Sequence, residues 1–139
     1  MESSSFLVKA FMAKELITFT PDMDVNKAMF KLIENKISGA PVIDQNGKLV
    51  GILSEHNCMQ VVVNSHYYNM PGGQVRDFMT KEVKTVSPEM DIIKLAELFM
   101  QTNYRRFPVV EGKNLVGQIS RRDILKAVLA LIENHQSPE

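Results

Sequence analysis

The sequence predicts an α/β protein, of the α+β kind, made of two βαββα repeats packed with pseudo-two-fold symmetry. Three observations predict it. The chain repeats itself in order at an offset of 67 residues. Each copy alternates one helical apolar stripe with two short β-prone runs. At 139 residues the chain fits one compact domain or two tightly joined halves.

The repeat comes first, because every later assignment leans on it. Phe11-Met12-Ala13-Lys14-Glu15 returns as Phe78-Met79-Thr80-Lys81-Glu82. At the same offset Thr18 matches Thr85, Pro21 matches Pro88, Met23-Asp24 matches Met90-Asp91, Lys27 matches Lys94, and Pro41-Val42 matches Pro108-Val109. One residue is then lost in a turn. At an offset of 66, Leu49-Val50-Gly51 matches Leu115-Val116-Gly117 and Ser54 matches Ser120. This divides the sequence into a first copy over 10–63, a connector over 64–74 containing Pro71-Gly72-Gly73, and a second copy over 75–133.

Within each copy the elements follow in order. Thr18-Phe19 and Thr85-Val86 are β-prone and stop at a proline two or three residues on. Asp24 and Asp91 stand where N-caps belong. Val25, Ala28, Met29, Leu32 and Ile33 are spaced i, i+3, i+4, i+7, i+8, one face of a helix. Ile92, Leu95, Ala96, Phe99 and Met100 repeat the stripe. Ala40–Ile43 and Leu49–Leu53 then flank Asp44-Gln45-Asn46-Gly47, where Asn-Gly at positive φ predicts a hairpin. The second copy turns through Glu111-Gly112-Lys113-Asn114. A final helix carries Ile124, Ala127, Val128, Leu131 and Ile132 on one face, with Leu125 and Leu129 off it. A unit of about 60 residues alone buries too little surface to be comfortably stable. Two copies packed face to face remedy this and enclose a cleft, the expected place for function.

Composition removes several functions. Hydrophobic residues make up 45% and charged residues 23%, values of a soluble globular protein. Sixteen basic and sixteen acidic side chains cancel, so no broad membrane or duplex nucleic-acid surface is expected. The single cysteine, Cys58, permits no internal disulfide and reads as a core residue of a reducing compartment. Met1-Glu2-Ser3-Ser4-Ser5 lacks the basic head and apolar run of a signal peptide. No apolar stretch nears the roughly 20 residues of a membrane helix. The expected location is cytoplasmic. His56, His66 and His135 are scattered without ligand spacing, so no metal site is expected. No nucleophile with an acid–base partner emerges, so no catalytic residues are assigned and the chain is expected not to be an enzyme.

The chemistry gathers at Gly117-Gln118-Ile119-Ser120-Arg121-Arg122-Asp123, the end of the last strand and the start of the last helix. Ser120 and Asp123 have the spacing of a capping box, a purely structural role. The same helix start offers free N–H donors and the positive dipole end, which suit phosphate. A carboxylate repels phosphate, so Asp123 suits a sugar diol. Four of the five arginines are Arg105, Arg106, Arg121 and Arg122. Their counterparts Ser38, Gly39, Glu55 and His56 include no permanent cation, so the basic character belongs to one copy. Arg121 reads equally well as part of a solvated face.

Together these segments resemble cystathionine-β-synthase (CBS) repeats, and the pair resembles a Bateman module. The resemblance covers about 10–132. It rests on Ile37-Ser38-Gly39-Ala40-Pro41-Val42-Ile43-Asp44, Gly51-Ile52-Leu53-Ser54, Arg106-Phe107-Pro108-Val109-Val110 and the Gly117–Asp123 stretch. It implies a cleft that binds an adenosine-containing ligand: AMP, ADP, ATP, NAD or S-adenosylmethionine. Carried over, Asp123 would hold the ribose hydroxyls and Ser120 a phosphate, with Arg105, Arg106 and Arg122 as phosphate partners. The base would lie against the backbone around Ile17-Thr18 and Ile37-Ser38. A weaker second site is assigned to Lys84, Tyr104, Ser54, His56 and Asn57. It departs from the family pattern, because Asn57 stands where the aspartate belongs and Glu55 repels phosphate. No cofactor is required beyond an AMP, ADP or ATP ligand. The expected partners are the nucleotide, a second copy in a homodimer, and an effector protein in trans. A ligand-free structural or protein-interaction module is the alternative.

Overall fold

The computed structural model describes residues 6–136. Its elements run α1 (Val8–Phe11), α2 (Val25–Glu34), β1 (Gly39–Ile43), β2 (Leu49–Ser54), α3 (Glu55–Tyr67), a 3-10 turn (Val75–Asp77), α4 (Ile92–Met100), β3 (Arg106–Glu111), β4 (Asn114–Ser120) and α5 (Arg121–Gln136). Two compact units form. A repeat-one unit holds 16–83 and 113–115, and among the described residues a repeat-two unit holds 6–15, 84–112 and 116–136.

In each unit a hairpin packs under two helices. β1 and β2 pair antiparallel from Gly39↔Ser54 to Ile43↔Leu49, with an irregularity at Val42/Ile43. The hairpin is not the two-residue Asn-Gly turn. Asp44 C=O accepts the N–H of Gly47 at 3.0 Å, and only Gly47 takes a positive φ, of 82°. That is the pattern of a type I turn closed by a left-handed glycine. Asp44 Oδ1 selects it by accepting the N–H groups of Asn46 and Lys48, at 2.8 and 3.0 Å. β3 and β4 pair across Gly112-Lys113, with Gly112 at φ 62°.

The expected first strand of each repeat shrinks to a single bridge. Phe19 pairs parallel with Val42, and Val86 with Val109. Pro21 and Pro88 follow at once, and proline has no N–H with which to extend a ladder.

The helix stripes need one correction. Val25, Ala28 and Leu32 are buried on α2, as are Ile92, Leu95 and Phe99 on α4. Ile33 and Met100, at i+8, are instead 75% and 86% exposed. At 100° per residue, i+8 lies about 80° from the stripe's first residue and falls on its flank. α5 differs similarly: Ile124 and Ala127 are buried, while Leu131 and Ile132 are exposed. Of the two caps, Asp91 accepts the N–H groups of Ile93 and Lys94, at 3.1 and 3.3 Å. Asp24 makes no side-chain cap bond. There the first helical N–H, that of Val25, goes to the carbonyl of Gly73 at 2.9 Å.

The two cores match position by position. Phe19, Val25, Leu32, Val42, Leu53, Cys58 and Val75 are buried in one. Val86, Ile92, Phe99, Val109, Ile119, Ile124 and Val8 are buried in the other. Val8 and Val75 reveal an exchange of segments: the stretch that opens each repeat packs in the unit of the opposite repeat. Ala13 exchanges hydrogen bonds with Gln118 at 2.8 and 2.9 Å, and Thr80 does so with Ile52 at 2.8 and 2.9 Å. Each segment thus satisfies the free edge of β4 or β2. The approach is close enough to demand glycine. A Cβ on Gly51 would lie 2.8 Å from the Thr80 carbonyl oxygen, and one on Gly117 would lie 2.9 Å from that of Ala13.

Candidate functional site

In the repeat-two unit β4 runs directly into α5, so Ser120 ends a strand and caps a helix at once. Its N–H donates to Asp123 Oδ2 at 2.8 Å, and its Oγ accepts the N–H of Asp123 at 3.2 Å. This is the capping box that the spacing allowed. It consumes one carboxylate oxygen. Among the described residues no donor reaches the other, Oδ1, and Asp123 is half-buried.

The arginines collect beside this box. Arg121 N–H donates to the Arg105 carbonyl at 3.2 Å, joining the start of α5 to the entry of β3. That bond brings the backbones of the Arg105-Arg106 and Arg121-Arg122 pairs together. Arg106 is half-buried and the other three are exposed. Among the described residues no carboxylate lies within ion-pair distance of any of the four. A carboxylate acceptor on the same helix start as unpaired arginines suits a polyhydroxyl ligand bearing phosphate.

The remaining residues of the primary set, Ile17, Thr18, Ile37 and Ser38, lie in the repeat-one unit and are half-buried. Ile17 and Ile37 pack against its core. The Ser38 carbonyl accepts the N–H of Glu55 at 2.8 Å, the counterpart of the Arg105–Arg121 bond.

The weaker set is also divided between the units. Lys84 and Tyr104 belong to the repeat-two unit, where both are exposed and Tyr104 sets its edge on Phe107 at 5.4 Å. In the repeat-one unit His56 is exposed. Ser54 and Asn57 form a second capping box: Asn57 Oδ1 accepts from Ser54 N–H at 2.9 Å and from its hydroxyl at 3.0 Å. Asn57 N–H donates to Ser54 Oγ at 3.1 Å. The Asn57 amide nitrogen then donates to Thr80 Oγ1 at 3.2 Å. Sequence reasoning missed Thr80. Its mark was the one mismatch, Ala13 against Thr80, in an otherwise repeated five-residue motif.

Cys58, one residue on, is buried, and burial pushes its thiol pKa up, with the Glu55 carboxylate adding to the rise. An open depression of about 500 Å³ in the repeat-two unit is lined by Thr85–Glu89 and Val110–Gly112. It includes none of the assigned residues, and Glu89 and Glu111 make it unsuited to phosphate. Among the described residues no group of three or more His, Cys, Asp or Glu side chains could hold a metal ion. No described helix is long and apolar enough to cross a membrane.

Comparison with known proteins adds to this geometry. The CBS domain family model matches twice, at residues 8–64 and 75–130. An uncharacterised protein of Methanocaldococcus jannaschii is 30% identical, over 88% of this chain and 91% of its own length. Other curated relatives are longer, and the chain spans less than two thirds of their length. The crystal structure of CBSX2 in complex with AMP is similar at a TM-score of 0.80 and 29% identity, covering 91% of this chain and 98% of that one. The CBS domain pair of protein MJ0100, in complex with 5-methylthioadenosine and S-adenosyl-L-methionine, is similar at 0.72 and 25% identity, covering 90% and 97%. With both repeats matched, and both built on the same buried positions, the chain belongs to the CBS domain family.

Proposed function

We propose that this chain is a regulatory module that binds an adenosine-containing ligand, with Asp123 at the centre of the site. One observation carries the reading: among the described residues the Asp123 carboxylate keeps an acceptor oxygen free in the first turn of α5, which begins with Arg121-Arg122 and is joined through its first N–H to the backbone of Arg105. Asp123 would accept the ribose hydroxyls. Arg105, Arg106 and Arg122 would take phosphate with Ser120 and the first N–H groups of α5. The resemblance adds Ile17, Thr18, Ile37 and Ser38 around the base. Lys84, Tyr104, Ser54, His56 and Asn57 make the weaker second set. The AMP complex of CBSX2 and the methylthioadenosine and S-adenosylmethionine complex of the MJ0100 pair support the ligand class.

The module acts without catalysis. A ligand stabilises one arrangement of the chain by its differential affinity, and the change passes to an effector protein or through a dimer. Exposed apolar residues in each unit support a homodimer. Phe30, Ile33, Met59 and Val62 lie on α2 and α3, and Ile93, Met100, Leu125 and Leu129 lie on α4 and α5. Light scattering after gel filtration tests this: the mass of one chain would rule the homodimer out. The same exposed faces favour a second reading, a ligand-free interaction module.

The deciding experiment is thermal stability of the purified chain against AMP, ADP, ATP, NAD and S-adenosylmethionine, with Asp123→Ala alongside. A ligand at about 100 times its Kd adds roughly 2.7 kcal/mol. A shift with one of them that vanishes in the variant supports the ligand-binding module. No shift with any, and no co-purified nucleotide, leaves the interaction module.

A further inference from the structure

The two capping boxes differ in one partner. Asn57 has a partner at each end of its side-chain amide. Its oxygen must face the Ser54 N–H, which only donates, so its NH2 must point outward, where it donates to Thr80 Oγ1 at 3.2 Å. Asp123 likewise accepts the Ser120 N–H on its inner oxygen. No donor among the described residues meets its outer oxygen. The counterpart of Thr80 there is Ala13. Both are the third residue of the repeated five-residue motif, and both bridge antiparallel to equivalent strand positions, Thr80 to Ile52 and Ala13 to Gln118. A methyl group neither donates nor accepts.

We propose that the residue at this bridging position decides which repeat takes the ligand. Thr80 closes the Asn57 end with an internal hydrogen bond, and Ala13 leaves Asp123 Oδ1 open to a ligand hydroxyl. The inference rests on the nucleotide reading above and moves the cause of asymmetry. The loss of charge at Asn57 is not sufficient, because an aspartate there would still be capped by the Thr80 hydroxyl. Opening the repeat-one end requires removing that hydroxyl. Supplying one at position 13 closes the repeat-two end, and Ala13 is exposed, so a larger side chain fits.

Calorimetric titration of the full chain with AMP tests this in wild type, A13T, N57D, N57D/T80A and N57D/T80S. Wild type and N57D should take one AMP per chain, and N57D/T80A should take two. N57D/T80S, which keeps a hydroxyl, should return to one. A13T should bind about tenfold more weakly, the worth of one competing hydrogen bond. Wild-type affinity in A13T, a second AMP in N57D alone, or one AMP in N57D/T80A overturns the proposal. A13S, with a smaller hydroxyl residue, replaces A13T if the latter unfolds. No binding to wild type would sink the nucleotide reading instead, and the clasp then has its own readout. By NMR, the Asn57 side-chain amide hydrogens should exchange more slowly in wild type than in T80A. Equal rates overturn the clasp.

Discussion

Ser120 and Asp123 hold each other by two hydrogen bonds, of 2.8 and 3.2 Å, yet the pair uses only one of the two carboxylate oxygens. Capping and ligand binding therefore draw on different atoms of one side chain. They are separable by mutation. Asp123→Asn keeps an oxygen for the Ser120 N–H, as Asn57 does for Ser54, but places an NH2 outward. It should leave stability within about 0.5 kcal/mol, while Asp123→Ala should cost about 1 kcal/mol. Both should abolish AMP binding. Urea unfolding and calorimetry on the same samples check the two effects independently.

The two aspartates that begin α2 and α4 are equivalent in sequence and unequal in structure. Asp91→Ala removes an acceptor for two N–H groups and should cost about 1 kcal/mol. Asp24→Ala removes none and should stay within about 0.5 kcal/mol. Midpoints of urea unfolding for the two variants measure the difference. Equal losses would contradict it.

Gly51 and Gly117 admit the exchanged segments. A methyl group at either meets a backbone carbonyl at under 3 Å, and backbone yields less readily than a side chain. Gly117→Ala and Gly51→Ala should each cost about 1–3 kcal/mol. The loss should come with faster amide exchange at Ala13 or Thr80 respectively.

The Cys58 thiol is buried and its pKa is raised. The folded state therefore favours the protonated thiol. Its contribution to stability is full below the pKa of the unfolded thiol and is lost as pH rises through the folded value. Stability should decline from about pH 8.5 upward more steeply in wild type than in Cys58→Ala. Iodoacetamide should label the folded chain slowly and the urea-unfolded chain fast, as followed by mass spectrometry.

Much of this was legible before folding. Local periodicity carried α2 and α4, because a helix buries whatever recurs at its own pitch. Ser120 to Asp123 was legible as a box because capping is a contact between residues three apart. Ile33 and Met100 lie on the stripe yet are exposed, since a five-residue stripe says nothing of how wide the covering layer is. Asp24 stands at a cap position without capping, because the Gly73 carbonyl reaches Val25 from 48 residues away in the chain.

The sequence by itself determined that there are two like units, that Val25, Ala28 and Leu32 and their counterparts Ile92, Leu95 and Phe99 face the cores, and that the basic character belongs to the second. Those follow from pattern and composition, which are properties of the chain alone. The tertiary structure decided which segment completes which unit. The edges of β2 and β4 need partners, and the stretches holding Thr80 and Ala13 supply them from the opposite repeat. It also decided that Asn57 is spent on Thr80 while Asp123 retains a free oxygen. A side chain's free hydrogen-bonding capacity depends on neighbours that no local pattern names.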